Sequence, residues 1–148
     1  MLAYVFWHRP AADANAYEAV LRAFHHSLRA APPPGFHGSV TYARAKLPWF
    51  DGYEDWYLVD DWTALGVLND AAPHVPGHDV AARRSTDGAG AVYRLTGGDP
   101  DLAAVGGATW SDAPVAGDVT WRRELVLGPA PQYCAHHRGP GAIARTVV

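Results

Sequence analysis

Two segments of this chain carry bulky side chains on both faces of what must be strands, and nothing else in the sequence constrains the fold as strongly. Leu2 to His8 reads L-A-Y-V-F-W-H, closed by Arg9-Pro10, and Tyr53 to Asp60 reads Y-E-D-W-Y-L-V-D. Continuous β-prone runs bounded by turn residues fit strands, in which alternate side chains point to opposite faces of the sheet. Tyr4 and Phe6 then oppose Val5 and Trp7, while Trp56 and Leu58 oppose Tyr57 and Val59. A sheet with one face in water would leave several of these aromatics solvated, so both faces need a cover.

The segments between supply one cover. Asn15 and Glu18 have capping-box spacing, with Asp13 as a rival cap, and Tyr17, Val20, Leu21, Phe24 and Leu28 recur at helical spacing. This predicts a helix ending at Pro32-Pro33-Pro34-Gly35, with Arg22, His26 and Arg29 outward and His25 at the edge of the apolar arc, solvated by default. Phe36 to Arg44 alternates as a second strand, with Phe36, Val40 and Tyr42 on one face and His37, Ser39 and Thr41 on the other. Asp60 or Asp61 caps a short helix carrying Trp62, Leu65 and Leu68, which Pro73 stops. Further helical turns over 79–84 and a fourth strand over 91–95 complete a βαββαβ order. The expected fold class is α+β, a ferredoxin-like βαββαβ unit with two helices on one face of an antiparallel sheet.

Past Gly97-Gly98-Asp99-Pro100, the stretch Ala108 to Pro114 echoes Val5 to Pro10, an aromatic strand end running into proline. Val119 to Leu127 and Gln132 to His137 read as two more strands joined by Gly128-Pro129-Ala130-Pro131. The expected organisation is a ferredoxin-like unit over 1–95, a degenerate second β-rich repeat over 96–138 packed on the same sheet in one compact domain, and a tail over 139–148.

Charge and composition exclude some partners. Twelve basic side chains against 15 acidic ones give a net charge of −3, and the arginines are scattered, so the positive patch that nucleic acid requires is missing. The apolar run Leu2 to Trp7 is too short for a membrane span or a signal-peptide core. With Cys134 alone there is no intrachain disulfide and no CxxC motif. The expectation is a cytoplasmic protein with neither a nucleic-acid nor a membrane partner.

The candidate chemistry rests on histidines and aromatics. His74 and His78 have i, i+4 spacing, but Pro76 and Gly77 intervene; His136 and His137 point to opposite faces of a strand, as surface or strand-end residues. No metal site is expected, and Cys134 with His136 lacks a third group for nucleophilic catalysis. His8 shares a strand face with Tyr4 and Phe6, and His37 shares one with Ser39 and Thr41. A histidine in an apolar cavity can act as a base near neutral pH or orient a substrate, which makes His8 and His37 the candidate catalytic residues. Trp7, Tyr42, Trp56 and Tyr57 are the candidate ligand-binding residues for a flat, apolar molecule. The loop Lys46 to Gly52 presents Trp49 and Phe50, expected to contact a second subunit or, less simply, to act as a lid.

A unit of this order whose open sheet face needs a cover, followed by a partial second copy, resembles the dimeric α/β-barrel superfamily. The resemblance is carried by L-A-Y-V-F-W-H, the helix from Asn15, F-H-G-S-V-T-Y-A-R, E-D-W-Y-L-V-D and the short helix from Asp61. In that superfamily two sheets pack face to face around a central cavity, and members include cofactor-free monooxygenases, haem-degrading enzymes and muconolactone isomerases. The resemblance implies a homodimer with an apolar cavity between sheets. It also implies a small-molecule binding protein or cofactor-independent enzyme, monooxygenase- or isomerase-like, acting on a small apolar or aromatic ligand with no cofactor held. A non-catalytic structural or ligand-binding module is the alternative. Haem binding is a third reading, for which no particular axial histidine stands out and no CxxCH is present.

Overall fold

The computed structural model describes residues 1–44, 47–139 and 147–148. In chain order its elements are β1 (Leu2–Pro10), α1 (Ala14–Ala30), β2 (Phe36–Arg44), β3 (Gly52–Val59), α2 (Trp62–Ala71), α3 (His78–Arg83), β4 (Ser85–Gly97), β5 (Val105–Ser111), β6 (Val119–Leu127) and β7 (Tyr133–Arg138). The strands form one sheet in the order β2-β3-β1-β4-β6-β7-β5, and each described pairing is antiparallel.

This corrects the expected fold class. The chain is a curled seven-stranded antiparallel sheet, not a ferredoxin-like βαββαβ unit followed by a degenerate half of the dimeric α/β-barrel type. The difference begins at β4, which runs for 13 residues and pairs with β1 along one edge and β6 along the other, so the sheet does not end there. Its curl follows from side-chain distances. Trp56 on β3 and His136 on β7 lie four strands apart, about 19 Å in a flat sheet at roughly 4.8 Å per strand. Their ring centroids are 4.4 Å apart, and those of Trp7 on β1 and Trp110 on β5 are 5.6 Å apart. The sheet therefore folds back on itself, and its concave face is filled by Trp7, Trp56, Trp110, Trp121, Tyr42 and Tyr93.

That filling answers the demand for a second cover without a second sheet, and it removes the reason for expecting a partner subunit. The loop before β3 joins the same packing. Trp49 meets Trp110 edge-on at 5.3 Å and Trp7 at 6.1 Å, and Phe50 is buried, so the loop turns inward instead of offering its aromatics to a neighbour. Lys46 lies outside the described residues.

The convex face carries the helices. Asp13, not Asn15, caps α1: its carboxylate accepts from the backbone N–H groups of Asn15 and Ala16 at 2.7 and 3.0 Å. Asp61 caps α2 by accepting from the Ala64 N–H. The buried stripe of α1 comprises Tyr17, Glu18, Leu21, Phe24, His25 and Leu28, so it is rotated toward Glu18 and His25 relative to the apolar arc. A register shift between Phe36 and Gly38 breaks the alternation of β2 and moves Phe36 onto the helix side, among Leu2, Phe24 and Val59. Among the described residues of the tail, Val147 donates its N–H to the Thr41 carbonyl at 2.8 Å, which seats the C-terminus on the outer edge of β2. No helix among the described residues is long and apolar enough to cross a membrane.

Candidate functional site on the convex face

The two faces of the sheet differ in chemistry because β1 and β3 alternate. Ala3, Val5 and Trp7 with Glu54, Trp56 and Leu58 point into the curl; Tyr4, Phe6 and His8 with Tyr53, Asp55 and Tyr57 point toward the helices. Each face receives one buried carboxylate. On the concave side Glu54 accepts from the indole Nε1–H of Trp7 at 2.8 Å and of Trp56 at 2.7 Å, which fixes both rings in a solid core. Both rings pack against Trp110, and Trp56 also meets Trp121 at 5.4 Å.

The cavity is on the other side. About 790 Å³ lies between the convex face and the three helices, bounded by Tyr4, Phe6, His8, Tyr17, Asp55 and Tyr57 at the sheet and by Trp62, Leu65 and Leu68 from α2. Glycine makes the room. Gly88 pairs with His8 and Gly90 with Phe6, so both residues face the cavity without a side chain. A Cβ at Gly88 would meet the Phe6 ring at 3.0 Å, and one at Gly90 would meet Tyr4 Cε2 at 3.4 Å, so the rings of β1 lie across β4 where side chains would otherwise stand. The mouth is apolar, rimmed by the exposed Trp62, Leu125 and Leu127. A second hollow of about 410 Å³ between α1 and α3 is lined mostly by small apolar residues and contains no convergent polar groups.

Asp55 organises the polar wall. Its Oδ1 accepts from Thr41 Oγ1 at 2.6 Å and its Oδ2 from the Tyr57 hydroxyl at 2.9 Å. His8 Nε2 is 3.1 Å and His25 Nε2 3.7 Å from Oδ2, ion-pair distances, with His8 lying off the line of a hydrogen bond. On its far side His8 Nδ1 is 2.6 Å from the Tyr17 hydroxyl, and His25 Nδ1 is 2.6 Å from Ser39 Oγ. The result is a chain Asp55–His8–Tyr17 with a second imidazole, His25, braced behind it.

These contacts set the protonation states. Burial alone would push the Asp55 carboxyl up, but His8 and His25 override it and hold the group well below the usual carboxylate range. Burial, and then the charge of Asp55, pushes the phenols of Tyr17, Tyr57 and Tyr4 upward, so all three stay protonated at neutral pH. The wall thus presents one carboxylate, the His8 imidazole and three phenol hydroxyls, with His25 fully buried behind it. Among the described residues no cluster of three or more histidine, cysteine, aspartate or glutamate side chains is arranged to hold a metal ion.

The structure separates the residues that the sequence put forward. His8 and Tyr57 line the cavity. Trp7, Tyr42 and Trp56 are in the packed concave core on the opposite face. His37 lies outside the cavity, 2.6 Å from Asp60 in a largely exposed pair near the start of β2. Two histidines are more buried than their positions indicated: His25 is fully buried against Ser39, Thr41 and Tyr57, and His136 packs on Trp56. Sequence reasoning missed Asp55 altogether and took Tyr17 for plain helix core. The available signal was Glu54-Asp55, two carboxylates in the middle of a strand with bulky neighbours on both faces, which requires one buried carboxylate per face. No protein family, curated protein or solved structure matches this chain.

Proposed function

We propose that this chain is a cofactor-independent, isomerase-like enzyme that binds a small apolar or aromatic carbonyl compound in the convex-face cavity and moves a proton on it. The observation that carries this is the chain Asp55–His8–Tyr17 ending on the wall of an otherwise apolar cavity. A base held by a carboxylate and touching a hydroxyl is the arrangement that lets a weak acid exchange protons with a substrate. In this reading Tyr17 is the catalytic residue, because it lines the cavity and its hydroxyl contacts His8; His8 and Asp55 act through it. The relay requires Tyr17 to donate to His8 Nδ1, with the ring proton on Nε2 facing Asp55.

In the forward step a C–H bond next to the substrate carbonyl breaks and its proton goes to the Tyr17 oxygen. The Tyr17 proton passes to His8 Nδ1, and the C–H electron pair becomes the enolate. The imidazolium so formed is paired with the Asp55 carboxylate. Return of the proton from His8 through Tyr17 to a different carbon gives the isomer, with no net change in atoms or electrons. A lone, buried Cys134 suits the reducing cytoplasm as the setting.

The second reading, binding without turnover, draws on the same cluster: Thr41, Tyr57 and the two imidazoles already occupy Asp55, which is how a purely structural carboxylate is satisfied. Loss of the C1 protons of 2-tetralone in D2O, followed by NMR, separates the two. The protein is expected to accelerate exchange above buffer with saturation, and Tyr17→Phe, which keeps the ring and its packing, to remove that excess. Exchange no faster than in buffer with folded wild-type protein would leave only binding.

A further inference from the structure

Among the phenols on the cavity wall, Tyr4 differs from its neighbours. Tyr17 is engaged with His8 and Tyr57 with Asp55, whereas the Tyr4 hydroxyl has no hydrogen-bond partner among the described residues. Its ring is one of a row, 6.3 Å from Phe6 and 6.0 Å from Tyr57 between centroids, both stacked. Tyr4 pairs with Val92 across the ladder, yet its hydroxyl lies 3.5 Å from where a Cβ of Gly90 would stand, and Gly90 pairs with Phe6. The side chain therefore leans along the strand by about two residues, roughly 7 Å, toward the His8 end of the cavity. An O–H group held over a glycine, bordering an apolar cavity and pointed along the wall toward an acid–base relay, is placed to donate to a ligand oxygen.

We propose that Tyr4 is a further ligand-binding residue, that it donates a hydrogen bond to the carbonyl oxygen of the ligand, and that the ligand is an uncharged, flat molecule bearing that carbonyl. The reaction set out above supplies the context, and this inference rests on it for the role of the carbonyl. The Asp55 charge disfavours an anionic ligand at this wall. Phe6 and Tyr57 flank the bound plane, and the apolar body extends toward Leu65 and Val92. In the reacting complex the Tyr4 hydroxyl would strengthen its bond as charge develops on the oxygen, which raises the rate beyond what binding alone gives.

The experiment uses 6-propionyl-2-dimethylaminonaphthalene, whose emission shifts to the red when its carbonyl accepts a hydrogen bond, and 2-dimethylaminonaphthalene, which has no carbonyl. Wild-type protein is expected to bind the ketone at least tenfold more tightly than the carbonyl-free probe. Tyr4→Phe is expected to abolish that preference, to blue-shift the bound ketone, and to leave the affinity of the carbonyl-free probe unchanged. In the 2-tetralone assay the same substitution is expected to lower kcat/KM at least tenfold with most of the loss in kcat. Equal ketone preference and equal emission in wild type and Tyr4→Phe would overturn the assignment. Failure of wild-type exchange with the probe preference intact would instead remove the proposed reaction and leave Tyr4 as the carbonyl anchor. The substitution deletes only an unbonded hydroxyl, so an unaltered thermal melt is expected; a fall in Tm together with loss of both probes would show that Tyr4 acts through packing and would also overturn it.

Discussion

Replacing Asp55 by alanine removes the group on which the convex wall depends, and the cost can be worked from its contacts. Thr41 at 2.6 Å and Tyr57 at 2.9 Å donate to this carboxylate, and hydrogen bonds to a charged acceptor contribute about 1.5–3 kcal/mol each. Two buried imidazoles, at 3.1 and 3.7 Å, lose the same carboxylate, and a buried polar group left without its partner costs about 1–3 kcal/mol. These terms overlap and do not add, so a net loss of about 4 kcal/mol is expected at pH 7, a large share of the roughly 5–15 kcal/mol available to a domain. Urea unfolding of wild type and Asp55→Ala reads this directly. The pH dependence has a definite sign. The folded-state carboxyl is held below its ordinary value of 3.8, so its contribution is complete above that value and declines as the pH falls. At pH 3 it is smaller by about 1 kcal/mol than at pH 5, which narrows the gap between the two proteins. A loss under about 1 kcal/mol at pH 7, or a gap that widens in acid, would mean that Asp55 is solvated or neutral and does not hold the cluster.

Other substitutions separate the two faces. Gly90→Leu should keep the fold, because its first added carbon meets Tyr4 Cε2 at an ordinary 3.4 Å, while the branched end fills the cavity and weakens the naphthalene ketone more than tenfold in a fluorescence titration. Glu54→Leu leaves the indole N–H groups of Trp7 and Trp56 buried without this acceptor, a cost of about 2–5 kcal/mol in urea unfolding, with 2-tetralone exchange per folded molecule unchanged. His37→Gln removes one side of an exposed pair with Asp60, so stability should move by less than about 0.5 kcal/mol and exchange should stay at the wild-type rate.

Strand positions and face alternation were legible because they depend on local pattern. The run Leu2 to His8 put Tyr4, Phe6 and His8 on one face, and those three residues border the cavity. What local pattern does not carry is the distance between strands far apart in the sheet. Nothing in Trp56 or His136 alone indicates a 4.4 Å contact, which exists only because the sheet curls, and so the aromatic face was assigned to a second sheet and a cavity. The same limit hid His25: its burial depends on a rotation of α1 that brings it against Ser39, Thr41 and Tyr57. His37 was misplaced for a local reason, the register shift after Phe36, which strict alternation cannot anticipate. The empty side-chain positions at Gly88 and Gly90 precede the fourth strand expected over 91–95, so they fell outside it, whereas the structure extends that strand over Ser85–Gly97 and places both glycines within it.

The most direct test of the site uses the indole signals of the six tryptophans, which divide by face. Trp62 rims the convex cavity, while Trp7, Trp49, Trp56, Trp110 and Trp121 pack together inside the curl. In a proton–nitrogen correlation spectrum titrated with 2-tetralone, the Trp62 Nε1–H peak should move with saturation and the other five should stay in place. Movement of Trp7 and Trp56 with Trp62 unchanged would put the ligand in the concave core and contradict the assignment of the site to Tyr4, His8, Tyr17 and Asp55.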